Sequence, residues 1–190
     1  MDTAVSNRLS RVGVGMLFGI PIVLALAFSQ NAHAAPSVSI GEVSYMGTGC
    51  GMGDSISGSG SIKTLNLRRF NAGAGYALRR SACNVAIPVT VPRGYQVSLS
   101  ANFKGSVKGS GKLIRSYGTS MNPVGASLSS NLTSVRGKRF SQNDAGNGAW
   151  SACGVGSVNV RLNSSVMAAS SASKISVDKM TLRIAVRPCR

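Results

Sequence analysis

The stretch Asn84–Phe103, NVAIPVTVPRGYQVSLSANF, decides how this chain folds. Val85, Ile87, Val89 and Val91 alternate with Asn84, Ala86, Pro88 and Thr90. Further on, Val97, Leu99, Ala101 and Phe103 alternate with Ser98, Ser100 and Asn102. A period of two puts one set of side chains on one face, so each run predicts a strand with one buried and one wet side. Pro92-Arg93-Gly94 between the runs is a turn signal, and the whole predicts a hairpin. Pro88 has no N–H to give a ladder and predicts an edge position.

The same pattern recurs outward from this hairpin. Val158, Val160 and Leu162 alternate with Asn159, Arg161 and Asn163; Met180, Leu182, Ile184 and Val186 alternate with Thr181, Arg183, Ala185 and Arg187. Weaker strands are expected at Val38–Tyr45, Lys63–Phe70, Lys112–Thr119 and Ala126–Val135. In the first of these, Val38 and Ile40 are out of phase with Val43 and Tyr45, which predicts a bulge at Gly41. Helix signals are poor: Ser164–Lys174, SSVMAASSASK, is so rich in Ser that a loop is expected. These strands, joined by Gly-rich connections, predict an all-β fold: a single antiparallel β-sandwich, jelly-roll-like, of about eight strands.

The amino terminus reads as an export signal. Arg8 and Arg11 precede the apolar run Val12–Phe28, and Ala32-His33-Ala34 supplies an A-x-A end. Residues 1–34 are therefore expected to be a cleaved signal peptide and residues 35–190 a single domain. The product would be secreted, or periplasmic in a Gram-negative cell. The rival, an uncleaved anchor, would rest on seventeen apolar residues interrupted by Gly19 and Pro21, short for a bilayer core of about 30 Å.

All four cysteines, Cys50, Cys83, Cys153 and Cys189, follow the leader. An even number in an exported chain predicts disulfides. A Cys₄ zinc site is the alternative, but no two cysteines have the close spacing such sites use. Pairing Cys50 with Cys83 and Cys153 with Cys189 closes two loops of moderate length and is preferred; the crossed pairings stay open.

Small motifs recur around these cysteines in a definite order. Val43-Ser44-Tyr45-Met46-Gly47-Thr48-Gly49-Cys50 comes first, then Arg80-Ser81-Ala82-Cys83-Asn84-Val85 before Pro92-Arg93-Gly94-Tyr95. Ser151-Ala152-Cys153-Gly154 precedes Val158–Ser164, and Val177-Asp178 leads the last strand into Cys189. Over residues 37–190 this resembles the secreted domain-of-unknown-function family 4360. The resemblance implies a small, exported, disulfide-bearing β domain, and it carries over no catalytic residue. Gly51 stands where the family commonly has Pro, and Ala185 and Val186 stand where it has an aromatic, so the last strand's packing is expected to differ.

Little here can do chemistry. The lone histidine, His33, is in the leader, and acid–base and metal chemistry lean on His or on grouped carboxylates. Of 21 Lys and Arg and 5 acids, the leader takes Arg8, Arg11 and Asp2. That leaves nineteen cations against Glu42, Asp54, Asp144 and Asp178. A hydrolase would need two of these acids facing each other, for instance Asp54 with Asp144. Asp144, within Asn143–Gly148, reads instead as a turn residue that bonds its own backbone. Gly109-Ser110-Gly111-Lys112-Leu113 lacks the first Gly and the hydroxyl of a P-loop. Ser171-Ala172-Ser173-Lys174 has the Ser-x-x-Lys spacing without any supporting motif. No cofactor and no metal site is expected, and the chain is read as a non-enzyme.

The excess positive charge is the strongest functional signal. Cations cluster as Arg68-Arg69, Arg79-Arg80, Lys104/Lys108/Lys112/Arg115 and Arg136/Lys138/Arg139, while Arg161, Arg183 and Arg187 fall on wet strand positions. Arg68, Arg69, Arg79, Arg80, Arg136, Lys138 and Arg139 are the candidate polyanion-binding residues. Their partners would be acidic polysaccharide, anionic headgroups or similar polymers, attracted within about 8–10 Å at ordinary salt. A solvated surface that guards strand edges would also use such charges, though a balanced one would serve solubility equally well. Specific nucleic-acid reading is not expected, because few aromatics interleave with the cations. Trp150, beside Ser151-Ala152-Cys153, is expected to pack near a disulfide, and Tyr76 and Tyr117 are the aromatics expected at the surface. Asn131-Leu132-Thr133 and Asn163-Ser164-Ser165 match the N-glycosylation pattern, which matters only in a eukaryote. A protein-binding module, using an edge strand or the Gly-rich loops, is the alternative from another class.

Overall fold

The computed structural model describes residues 38–121 and 127–189. The leader assigned to residues 1–34 lies outside the described residues. Ten strands follow in order: β1 (Ser39–Ile40), β2 (Ser44–Met46), β3 (Ser55–Ser57), β4 (Ile62–Asn66) and β5 (Asn71–Gly73) are short. Then come β6 (Arg80–Val91), β7 (Tyr95–Thr119), β8 (Ser127–Asn143), β9 (Gly156–Ala168) and β10 (Lys174–Pro188), all long. Among the described residues no helix is long and apolar enough to cross a membrane.

All pairings are antiparallel, as alternation predicts, but two facing sheets are met only in part, and the hairpin expected over Asn84–Phe103 is not formed: β6 and β7 each pair with β9, which lies between them. One hydrogen-bonded sheet runs β1-β6-β9-β7-β10-β4-β3, with β2 on β6, β5 on β10 and β8 on β7. The reason is the length of β7. Its first part pairs with β10 over Tyr95–Lys108 and its last part with β9 over Gly111–Thr119, so one strand belongs to both ladders. The sheet curls around this strand, and one face closes over a single core. Val85, Ile87, Leu99, Phe103, Leu113, Leu162, Ile175, Met180 and Leu182 are all buried in it.

Sequence patterning explains the local detail. Val97–Phe103 and Lys112–Thr119 are one strand because Gly105 and Gly111 occupy buried positions between them. A Cβ at Gly105 would collide with the carbonyl oxygen of Ser176, so β10 approaches only because this position is Gly. The bulge expected at Gly41 is present: four steps from Ile40 to Ser44 oppose three from Val89 to Ala86. Pro88 sits opposite that interruption, where its carbonyl accepts from the Gly41 N–H at 2.8 Å and its missing donor has no ladder to break. Hence Pro88 is tolerated in a strand flanked by β9 on one side and only by the broken β1–β2 pair on the other. The loop expected over Ser164–Lys174 shrinks to residues 169–173, because Val166 and Ala168 extend the buried face of β9.

The disulfides are Cys50–Cys83 and Cys153–Cys189, with Cα separations of 5.3 and 5.7 Å. The first ties the loop after β2 to β6. The second ties the loop before β9 to the chain end, where the Cys189 N–H also donates to the carbonyl of Gly94. Each closes a loop of more than 30 residues, with separations of 33 and 36. The chain-entropy cost that each removes from the unfolded state is about 3–4 kcal/mol. The double variant Cys153→Ser/Cys189→Ser should therefore unfold at a markedly lower urea midpoint with an unchanged far-ultraviolet spectrum when folded. An unaltered midpoint would show that the bridge constrains nothing.

Candidate functional site

The four acids of the described residues occupy separate, already engaged positions or the open surface. Asp54 accepts from the backbone N–H of Gly51 at 2.9 Å and of Arg68 at 2.7 Å, tying the turn before β3 to the segment after β4. Asp178 lies in a bulge of β10 and pairs with Arg139 at 2.8 Å on the exposed side. Glu42 is exposed. Asp144 corrects the sequence reading. It is 1% exposed, and its side chain takes Arg115 bidentately: Nε donates to Oδ2 at 2.8 Å and Nη2 to Oδ1 at 2.9 Å. The Tyr117 hydroxyl donates to the same Oδ2 at 2.8 Å, and Arg115 Nη1 donates to the Leu113 carbonyl and to Ser130.

Arg115, grouped in sequence with surface lysines, is therefore a core residue, and Tyr117, expected at the surface, is 1% exposed. Both follow from β7 alternation: residues 113, 115, 117 and 119 all face inward. The network pins the end of β8 beneath β7, which is a structural task. Burial, followed by the hydrogen bond to Asp144 and that residue's charge, raises the Tyr117 hydroxyl far above its ordinary 10.0. Among the described residues, no three His, Cys, Asp or Glu side chains group as a metal site would need.

The cations are arranged differently. Lys104, Lys108 and Lys112 are spaced by four along β7, so they share its wet face at intervals of roughly 13 Å. Directly across the ladder, Lys179 faces Lys104 and Lys174 faces Lys108. Lys112 lies opposite Met167 of β9, whose other neighbour is Arg80 of β6. Arg139 of β8 faces Ser106, and Arg183 of β10 faces Ser100. Between the cations this face carries Ser and Asn side chains: Asn102, Ser106, Ser141 and Ser176. The ladder positions of β7 and β10 put one acid on it, Asp178, already paired.

Of the candidate residues named from sequence, Lys138 and Arg139 border one concavity together with Lys108 and Lys174. Arg136 is beside them in the β8 bulge. Arg80 is two strands from Lys112, across Met167 of β9, and Arg79 donates to the carbonyl of Ala169 at 3.2 Å, at the end of β9. Arg68 and Arg69 sit on the connection between β4 and β5, apart from this stripe in the ladder. Lys174 and Lys179 were missed. Their place depends on register and on the bulge at Asp178, which shifts the phase of β10 by one residue. Arg187 stacks on Trp150 with its guanidinium carbon 3.8 Å from the ring centroid, so Trp150 is covered by a cation.

Two disulfides, a curled antiparallel sheet and a wet face dominated by lysine define a braced, basic β domain. The chain belongs to the family DUF4360, a domain of unknown function, whose model matches residues 36–188. No curated protein matches it. Among solved structures it is similar to TmCBM61 in complex with beta-1,4-galactotriose, at 12% identity and a TM-score of 0.24. That match covers 73% of this chain and 90% of the other. A likeness of this degree carries no argument about function.

Replacing Asp144 with Asn should leave Arg115 buried and unpaired and cost about 3–5 kcal/mol. Arg115→Met with Asp144→Leu should recover much of that, both read by urea unfolding. A loss near 0.5 kcal/mol for Asp144→Asn, typical of surface changes, would remove the structural role. Tyr117 adds an alkaline limit. Below pH 10.0 both states keep the phenol proton; above it only the unfolded state loses it, so stability falls as pH rises. Tyr117→Phe should flatten that alkaline decline, and an equal slope in both proteins would contradict the assignment.

Proposed function

We propose that this chain is an exported, non-enzymatic binding protein that holds acidic polymers against the wet face of β7 and β10. The observation that carries the reading is the pairing of like charges. Lys104 faces Lys179 and Lys108 faces Lys174 in one ladder, with the Ser106–Ser176 pair between them. Directly opposed like charges destabilise a sheet, and a neutral Ser or Thr would serve the wet face as well. A polyanion lying along the stripe relieves both repulsions at once, and its attraction is long-ranged and salt-sensitive.

Export is supported by the basic, apolar and A-x-A order of residues 1–34 and by disulfides suited to an oxidising compartment. A binding role rather than catalysis is supported by the engagement of Asp54, Asp144 and Asp178 in structural contacts. The rival reading, a protein-binding module, is favoured by β8, which pairs with β7 alone among the described strands and so offers a free edge.

Protein recovered from culture medium should begin at Ala35, and an N-terminus that still includes His33 would oppose export with cleavage. On immobilised heparin the protein should elute at a salt concentration that drops sharply in Lys104→Gln/Lys108→Gln/Lys174→Gln/Lys179→Gln. Arg68→Gln/Arg69→Gln should change it little. Retention insensitive to salt, or equal in the two variants, would overturn the reading. A single partner that stays bound at high salt and needs the β8 edge would replace it with the rival.

A further inference from the structure

The cationic stripe is not uniform, and one point on it has the form of a site. β8 carries a bulge beside β7: two steps from Val107 to Gly109 oppose four from Lys138 to Ser134. Gly137 takes a φ of +87° there, in the left-handed region that suits Gly, and Val135 is turned out into solvent at 91% exposure. The bulge opens a concavity bordered by Ser106, Val107, Lys108, Gly137, Lys138 and Arg139, with Lys174 across from Lys108.

We infer that this concavity seats one tetrahedral oxyanion, a phosphate or sulfate group carried by the bound polymer. The inference rests on the polymer-binding reading and deepens it by naming the group recognised. Lys108, Arg139 and Lys174 surround the concavity from the wet face and no acid lines it, while Lys138 borders it at the bulge, in register with core-facing Val107. The acid nearby in the ladder, Asp178, is already engaged by Arg139 at 2.8 Å and by Ser176 at 3.2 Å. Lys174 has its ammonium 4.6 Å from the centre of the Tyr76 ring, which restrains it at the rim. Ser106 and Ser176 share a hydrogen bond of 3.0 Å on the same face, and Ser176 donates onward to Asp178, so this pair holds the acid in place beside the concavity.

The donor set selects the shape of the anion. A carboxylate is planar with two oxygens and is matched by one Arg fork. Here two of the three wet-face cations are lysines, compact charges with three rotatable donors each, and Arg139 already spends one N–H on Asp178. Donors arriving from β7, β8 and β10 around a hollow suit an anion with three or four oxygens in three dimensions.

The test is a titration of the isotope-labelled protein with inorganic phosphate, with sulfate and with acetate at constant ionic strength, followed by backbone amide shifts. Phosphate, sulfate or both should produce saturable shifts centred on Ser106, Lys108, Gly137, Lys138 and Lys174. Acetate should bind at least roughly tenfold more weakly, about 1.4 kcal/mol. A response to phosphate alone or to sulfate alone identifies which ester the polymer bears. Lys108→Ala/Lys174→Ala should abolish the saturable component while the other amides keep their positions, which shows that the fold is intact. Shifts that are linear, spread over the whole wet face, or equal for acetate overturn the seat. If the seat fails while heparin retention still falls with salt, the polymer reading stands without it. If retention has no salt dependence, the polymer reading itself is lost.

Discussion

A strand of 25 residues with one dry face and one wet face constrains everything else in this molecule. Because β7 pairs with β10 along its first part and β9 along its last, any slip in its alternation would turn core residues of two ladders outward at once. The core therefore fixes which side chains are wet, and the wet set happens to include Lys104, Lys108 and Lys112. The basic stripe is thus set in place by burial of Val97, Leu99, Phe103, Val107 and Leu113 on the opposite face. The core thus fixes the backbone positions from which these lysines project.

The same strand shows why charge alone does not identify a site. Arg115 is three residues from Lys112, yet it is 2% exposed and its donors are spent on Asp144, Leu113 and Ser130. Parity decides: 112 is even and wet, 115 is odd and dry. The buried pair keeps its charge balanced by fork-to-fork bonding and by the Tyr117 hydroxyl, which is what makes burial of an ion pair tolerable. The lysines have no such partners on their face. One cation closes the fold; the others remain open to solvent and to anything anionic that reaches them.

How much of this was legible in the sequence follows the same logic. Alternation in Val85–Val91, Val97–Phe103, Val158–Leu162 and Met180–Ile184 marks the strands directly, and the phase break at Gly41 marks a bulge. The cysteine spacing favoured the pairing that the structure has. The unity of β7 was hidden because Gly105 and Gly111 fill core-facing positions without supplying apolar side chains, so the run KGSVKGSG reads as a loop. Asp144 was hidden for a related reason: its partner lies 29 residues away, and local turn chemistry gives the simpler account of an Asn-Asp-Ala-Gly sequence. The roles of Lys174 and Lys179 needed the register between β7 and β10, which no local pattern carries.

Register also explains why the sheet can hold two opposed lysine pairs at all. On an exposed face the ammonium groups sit at the ends of long, flexible stems, and they can splay apart into water, so the repulsion is modest for each pair. What splaying cannot do is remove the summed potential above the face, to which Lys104, Lys108, Lys174, Lys179 and Arg183 all add. The β8 bulge then breaks the flatness of this surface at one place, beside Arg139, Lys108 and Lys174. A flat field attracts a polymer without choosing among its groups; a hollow with donors on three strands can choose. On the proposed reading the two features would act at different ranges, the stripe gathering the ligand and the bulge fixing where along it one anionic group comes to rest.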